Sequence, residues 1–206
     1  MTAAPPSLDA LLEGWVAAHG VSTALVVGDA TEAARGLARH VGRVFVGART
    51  EAEAHQAKRA LAGITSIEVR VSRDVPALPR CDLVVTVGEL ARLPDWTSEL
   101  AALAERAARV LVVVLPNPRG FLDRLAGHAR APVCRTDVIA PALWARGRVR
   151  AHVYLDGPDL GALGPLAALP ASLPPRVHAA LARQHAFLVD TSPRTPQQAR
   201  RRLHTV

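Results

Sequence analysis

The chain has 206 residues, of which 50% are hydrophobic and 21% charged, so it is long enough for one α/β domain and is not of disordered composition. Its formal net charge is +7, and arginine supplies nearly all of the positive charge because Lys58 is the one lysine. The arginines are scattered and aromatic residues make up 3% of the chain, which favours a genome rich in arginine codons over a nucleic-acid-binding surface.

The cysteines, the histidines and the N-terminus exclude several other classes of protein. Cys81 and Cys134 lie far apart and outside any CxxC pair, so they indicate neither a disulfide framework nor a zinc site. We expect Cys81 to be a small core residue. The eight histidines show no metal-ligand spacing. Residues 1–6 lack the features of a leader peptide, and the longest apolar run, 110–115, is too short to span a bilayer. We therefore expect a cytoplasmic protein.

The predicted elements alternate between amphipathic helices and short apolar strands. Ser7 is expected to cap a first helix over 8–19, which ends at Gly20. Strands are predicted over 23–28, 43–47, 66–71, 81–87 and 109–115, and further helices over 31–40, 51–61 and 96–108. Apolar runs without alternation are typical of strands buried on both faces. The order of elements predicts a doubly wound, mostly parallel sheet with helices on both faces.

The C-terminal part of the chain follows a different pattern. Residues 149–155 alternate in polarity, and 186–189 form another short apolar run. We expect these two segments to pair as an antiparallel hairpin at the sheet edge, which makes seven strands, with an insertion that includes a helix over 176–183. In the first segment, Val149, Ala151, Val153 and Leu155 are expected to face the core, opposite Arg150, His152 and Tyr154. Residues 1–194 are assigned to one domain and 195–206 to a basic tail.

The loop after the first strand is the most informative segment for function. In a doubly wound sheet, ligands bind outside the carboxyl ends of the strands, at the switch point beside strand one. A dinucleotide fingerprint needs three glycines there, and in residues 28–32 only Gly28 is present. Asp29 and Glu32 place two negative charges where phosphates would bind, which argues against NAD, NADP and ATP. A ligand with a positive centre and no phosphate would suit this loop better.

At these segments the sequence resembles the class I methyltransferases that use S-adenosylmethionine (SAM). Residues 24–32 match the family's first motif at four positions: Leu25, Val27, Gly28 and Thr31. They depart from it at three others: Val26, Ala30 and Glu32. Later segments are similar to the family's loop after strand three, its fourth strand with the following loop, and its fifth strand: 73–79, 81–95 and 111–118. The resemblance covers residues 8–189 and implies a Rossmann-like methyltransferase fold, SAM as cofactor and a small-molecule substrate.

The resemblance also implies cofactor-binding residues, in the loops that follow the first four strands. They are Gly28, Asp29, Ala30, Thr31, Gly47, Arg49, Asp74, Val75, Gly88 and Glu89. Asp74 stands where the family has an acid near the adenine. Arg49 stands where the family has the acid that holds the ribose hydroxyls, although arginine offers no hydrogen-bond acceptor. No catalytic acid or base is assigned, since SAM is already activated and the protein mainly aligns nucleophile and methyl group.

Two other functions stay open at this point. The departures from the family pattern, together with Arg49, fit a non-catalytic methyltransferase-like protein that works by binding a partner. The partner would be a second copy of the chain in a homodimer, or a methyltransferase-like subunit with which this chain forms the silent half of a dimer. Residues 47–50 also resemble NADP sites, in which an arginine beyond strand two holds the 2′-phosphate.

Overall fold

The structure, a computed structural model, describes residues 7–116, 136–155, 182 and 184–192. Within these residues the strands are β1 (Thr23–Gly28), β2 (Arg43–Ala48), β3 (Ile67–Val71), β4 (Cys81–Val87), β5 (Ala107–Pro116), β6 (Arg148–Leu155) and β7 (Gln184–Asp190). The helices are α1 (Leu8–His19), α2 (Thr31–Leu37), α3 (Glu51–Ala60), α4 (Trp96–Arg106) and α5 (Thr136–Arg146), with a 3-10 turn at Val75–Ala77. No helix in the described ranges has both the length and the apolar character that crossing a membrane requires.

The seven strands form one sheet in the order β3-β2-β1-β4-β5-β7-β6. The strands β1 to β5 run parallel, and β7 is antiparallel to both of its neighbours. The predicted doubly wound sheet with an antiparallel edge hairpin is therefore confirmed. The chain moves outward from β1 through β2 to β3 and then returns to β4 on the other side of β1, so the switch point lies between β1 and β4.

Helices cover both faces of the sheet, because strands that are apolar on both sides must be buried on both sides. On one face, α1 and α2 pack on the sheet through Leu12, Val16 and Leu37. On the other face, α4 and α5 pack through residues that include Leu103 and Leu143. The sheet is thus the middle layer of three. The loops that follow the carboxyl ends of the parallel strands lie along one edge of this layer, which we call the carboxyl edge.

Helix caps form where short polar residues precede the apolar pattern. The N–H of Ala10 donates to the Ser7 hydroxyl oxygen at 3.3 Å, and Gly20 ends α1 with a φ of 58°, as predicted. Asp95 caps α4 by accepting from the Ser98 N–H at 3.3 Å.

A carboxylate joins the amino ends of β1 and β4. One oxygen of Asp82 accepts hydrogen bonds from the backbone N–H and the hydroxyl of both Ser22 and Thr23, at 2.7–3.2 Å. Burial acts to raise the Asp82 pKa, but these hydrogen bonds hold the pKa below its ordinary value. Arg109 pairs with Asp82 and donates to the carbonyl of His19 at 2.9 Å, so α1 is tied to the same corner. This network lies at the amino ends of the strands, opposite the carboxyl ends where ligands of this fold class bind, so we interpret its role as structural.

Several element boundaries differ from the predictions. The second helix ends at Leu37 rather than at residue 40, and β5 begins at Ala107, so α4 ends before the predicted 108. Helix α5 was not predicted, since Pro141 lies inside it and interrupts the helical pattern. The predicted helix over 176–183, except for Ala182, and the tail over 195–206 lie outside the described residues. Cys81 is buried as predicted, and burial raises its thiol pKa to about 11.

The edge hairpin corrects one prediction about facing. The β6–β7 register shifts between Val149 and Ala151, as in a β-bulge. Val149 consequently packs with the α4–α5 face, whereas Ala151 and Val153 pack with the α1–α2 face. Strict alternation through all four residues was therefore wrong, because a bulge moves one residue to the opposite face.

Candidate functional site

The loop after β1 packs directly on the end of β4. Gly28 has a φ of 93°, and a Cβ atom there would lie 2.3 Å from the carbonyl oxygen of Val87. The next residue, Asp29, donates its backbone N–H to that same oxygen at 3.0 Å. Only glycine fits both the backbone conformation and the close approach. Gly28 therefore sets how closely the two loops at the switch point approach each other.

The loop after β4 continues this wall of the site. Gly88 has a φ of 69° and donates its N–H to the Val114 carbonyl at 2.9 Å, which fixes the turn to β5. A Cβ atom on Gly88 would meet nothing within 4 Å among the described residues, so the space beside it is open. Glu89 follows immediately and points its carboxylate toward the end of β2, where it contacts Arg49.

The end of β2 and the loop after β3 pack together and form the apolar base of the site, which we call the apolar floor. A Cβ on Gly47 would lie 2.9 Å from a methyl group of Leu78, so the Leu78 side chain covers this glycine. Val75 and Leu78 are both buried. Asp74 precedes the 3-10 turn, and the Ser72 hydroxyl donates to its carbonyl oxygen at 2.8 Å. The backbone of this loop is thereby held, and the Asp74 side chain makes no cap hydrogen bond to the 3-10 turn that follows it.

Three charged side chains form the most buried polar group of the site, which we call the Arg49 cluster: Arg49, Glu89 and Glu99. The Nε of Arg49 donates to Glu89, and its Nη2 donates to Glu99 on α4. Its Nη1 also reaches the carbonyl of Arg73 at 3.5 Å. The side chains are 29% exposed for Arg49 and 15% for each glutamate, so the ion pairs are largely shielded from water. One guanidinium thus links the ends of β2 and β4, the β3 loop and α4.

The electrostatics of the Arg49 cluster are unbalanced. Burial raises the pKa of Glu99 above its ordinary value, and the negative charges of Glu89 and Asp74 raise it further, while Arg49 lowers it. One arginine therefore compensates several neighbouring carboxylates incompletely. Positive charge is favoured at this point of the crevice.

A cavity of about 640 Å³ lies on the other side of the same loops, beside the first turn of α1 and along α2. Its wall includes Asp29, Glu32, Val87, Gln184 and the first turn of α1. This volume lies within the usual range for small-molecule pockets. The cavity and the Arg49 cluster therefore flank the switch point on its two sides.

The charges in this cavity are also uneven. Arg35 donates to the Ala60 carbonyl at 2.8 Å, and Arg39 pairs with Asp9 at 3.4 Å. By contrast, the carboxylates of Asp29 and Glu32 have no hydrogen-bond or ion-pair partner among the described residues. This wall can therefore accept a cation or a hydrogen-bond donor.

Solved structures of methyltransferases have a fold similar to that of this chain. Magnesium protoporphyrin IX methyltransferase from Synechocystis, with bound S-adenosylhomocysteine (SAH), has a TM-score of 0.61 and 13% identity over 89% of this chain and 82% of its own. The N-methyltransferase NodS from Bradyrhizobium japonicum, also with SAH, has a TM-score of 0.60 and 16% identity, over 89% and 84% of the two chains. The fold is that of class I methyltransferases. No family model and no curated protein matches the sequence.

Within this methyltransferase fold, most of the predicted site residues come together at the carboxyl edge. The loops that carry Gly28, Asp29, Gly88 and Glu89 touch one another, and Arg49 reaches them from β2. Ala30 and Thr31 begin α2, where Ala30 stands at the cap position without a side-chain cap. Gly47 and Val75 belong to the apolar floor described above and offer backbone atoms at most.

Sequence reasoning missed two residues of the site, Glu99 and Gln184. Glu99 had a readable signal, because it lies at the i+3 position from Trp96 and one residue before Leu100, on the stripe that α4 buries. A charged residue on a buried stripe requires a partner. Gln184 had no such signal, since it reaches the cavity through the pairing of β7 with β5, opposite Pro116.

Proposed function

We propose that this chain is a SAM-dependent methyltransferase that acts on a small molecule. The observation that carries the proposal is the cavity at the switch point of a class I methyltransferase fold, with the carboxylates of Asp29 and Glu32 in its wall, neither of which is paired within the described part of the chain. A phosphate-bearing cofactor would meet repulsion there, whereas SAM has no phosphate and carries a sulfonium and an ammonium against a single carboxylate, so that its net charge is positive. The structural relatives with bound SAH are consistent with this choice.

The residues present fit the cationic end of SAM. Asp29 and Glu32 offer acceptors and negative charge toward the cavity, and Gly28 holds their loop against β4. Asp29 is placed in the loop itself, and Glu32 also lies in the first turn of α2, where the helix dipole favours an acid. We therefore assign Asp29 the larger share of the binding interaction.

The nucleoside end fits less well. By the family resemblance it would lie toward Asp74 and the end of β2, beside Gly88 and Glu89. At that place the Arg49 guanidinium already bridges Glu89 and Glu99. The binding of a whole SAM molecule therefore requires this arginine to move.

The chemical role of the chain is to bind and align. When bound, SAM supplies an activated methyl group, so the protein needs no strong acid or base for the transfer itself. The residues around Gly28 and Gly88 would hold the cofactor at the carboxyl edge. The remaining cavity beside the first turn of α1, with Gln184 in its wall, would receive the acceptor molecule.

A second candidate is a non-catalytic methyltransferase-like protein that binds a partner. The observation that favours it is the Arg49 cluster, which fills part of the crevice with the protein's own side chains. The NADP alternative loses support from the same contact, because a 2′-phosphate would have to compete with two carboxylates for Arg49.

Isothermal titration with SAM tests the proposal. We expect the wild type to bind, and Asp29→Asn to weaken binding roughly five- to tenfold, which corresponds to about 1–1.4 kcal/mol for one exposed carboxylate facing a cation. Glu13→Gln is the matched control, since it removes one exposed acid of α1 that does not line the cavity. Absence of heat and of any thermal shift at millimolar SAM, both in the wild type and in a variant without Arg49, would refute a SAM-binding function and leave the partner-binding candidate.

A further inference from the structure

The Arg49 side chain crosses the crevice between two strands that are not neighbours. Arg49 follows β2, Glu89 follows β4, and β1 lies between these strands in the sheet. Two strand spacings are about 9–10 Å, so the ion pair closes that gap above the carboxyl end of β1. The contact to Glu99 adds α4 to the bridge. The bridge thus stands over the central strand of the switch region, where a ligand of this fold class binds.

The donor groups of the Arg49 guanidinium already have hydrogen-bond acceptors within the protein. Three donor groups of the guanidinium are used, toward Glu89, Glu99 and the Arg73 carbonyl. The backbone N–H of Arg49 donates in turn to Glu53 at 2.8 Å, which fixes the base of the side chain. A ligand that displaces the guanidinium leaves two carboxylates facing each other, each 15% exposed. The ligand must therefore return hydrogen-bond donors or positive charge to them.

We propose that Arg49 is an internal occupant of the cofactor crevice, which a nucleoside ligand must displace from Glu89 and Glu99 in order to bind. The proposal rests on the proposed SAM-binding function. It makes Arg49 an autoinhibitory residue: the apparent affinity equals the intrinsic affinity multiplied by the fraction of molecules in which the bridge is open. Glu89 and Glu99, once released, face the ligand as acceptors for donors such as the hydroxyls of a ribose.

The test is a comparison of SAM dissociation constants, measured by isothermal titration, with a variant whose net charge equals that of the wild type. Arg49→Ala combined with Glu99→Gln removes the bridge while the lost positive charge and the lost negative charge cancel. It also avoids leaving both carboxylates uncompensated, which could unfold Arg49→Ala alone. The matched control is Arg43→Ala with Glu68→Gln, which removes an exposed ion pair at the amino end of the same strand.

If the bridge is open in fewer than about one molecule in ten, the charge-matched variant should bind SAM at least tenfold more tightly than the wild type, and the control should bind like the wild type. Equal or weaker binding by the charge-matched variant would overturn the role of Arg49, while the proposed function would stand as long as the wild type binds. Tighter binding by Arg49→Ala alone, without any gain in the charge-matched variant, would also overturn it, because the effect would then be one of net charge. Absence of SAM binding in every variant would refute both the proposed function and this inference.

Discussion

Two histidines of the edge hairpin should make the stability of the protein depend on pH. His185 of β7 is 1% exposed, and its Nδ1 lies 3.0 Å from Nε2 of His152 on β6. The His152 ring also stacks on Phe187, with the ring centroids 4.3 Å apart. Burial, and secondly the neighbouring His152, lower the pKa of His185 from 6.5 to about 4. The pair is therefore neutral in the folded protein at pH 7, with one ring donating and the other accepting.

The sign and size of the effect follow from this lowered pKa. A histidine whose pKa is lower in the folded state stabilises the fold above its unfolded pKa, and this stability is lost as the pH falls from 6.5 toward about 4. One pKa unit corresponds to about 1.4 kcal/mol, so the free energy of unfolding should fall by about 1–3 kcal/mol between about pH 7.5 and about pH 4.5. The lowered pKa values of Asp82 and Asp190 start from 3.8, so their contributions are lost below this window.

Urea unfolding at several pH values measures the effect. His185→Phe keeps an aromatic ring but cannot be protonated, so its unfolding free energy should change much less across the window than that of the wild type. The raised pKa of Glu99 acts in the opposite direction, but it is common to both proteins and cancels in the comparison. His40→Gln, at an exposed histidine, is the control and should keep the wild-type slope. If His185→Phe also keeps that slope, the reasoning about the buried His185 is wrong.

Two further predictions concern the framework of the site. Asp82→Ala should lower the free energy of unfolding by about 2–3 kcal/mol in urea denaturation, since it removes the acceptor of four hydrogen bonds. As a control, removal of the exposed Asp9 carboxylate should cost less than about 1 kcal/mol. Gly28→Ala should lower the free energy of unfolding by more than about 2 kcal/mol, because its Cβ would meet the Val87 carbonyl. The control is Gly63→Ala, which has a φ of 87° but open space around it and should cost about 1–2 kcal/mol by the same measurement. Equal effects of the two substitutions would show that the contact between Gly28 and β4 is not tight.

The parallel part of the fold could be predicted from the sequence because its signal is local. Runs such as Cys81–Val87 are apolar without alternation, and such runs occur in strands buried on both faces. Boundaries were less accurate where two elements meet without a turn, as at Ala107, which follows α4 directly. The bulge between Val149 and Ala151 could not be predicted, because it depends on the pairing of β6 with β7 rather than on either strand alone.

The sequence could predict that the candidate loops lie at one edge of the sheet, but not which of their side chains form ion pairs. Topology alone brings the loops that contain Gly28, Arg49 and Glu89 to one edge. That Arg49 would bind two glutamates depends on the distance between β2 and β4 and on the rotation of α4. Sequence spacing indicates which residues share an element, but it does not give the distances between elements.

The net charge of the whole chain is a poor guide to the ligand of this site. A formal charge of +7 would favour a polyanion if the charges were evenly spread. At the crevice, however, Arg39 pairs with Asp9 and Arg49 with its two glutamates, whereas Arg35 donates to the neutral carbonyl of Ala60. Asp29 and Glu32 keep their negative charge without partners in the described part of the chain. The charged side chains that line the cavity are three acids, Asp9, Asp29 and Glu32, and two arginines, Arg35 and Arg39, so acids are in excess there although the whole chain is basic. Because interactions beyond a Debye length are screened, these nearby charges act on a bound ligand more strongly than the charges far from the cavity.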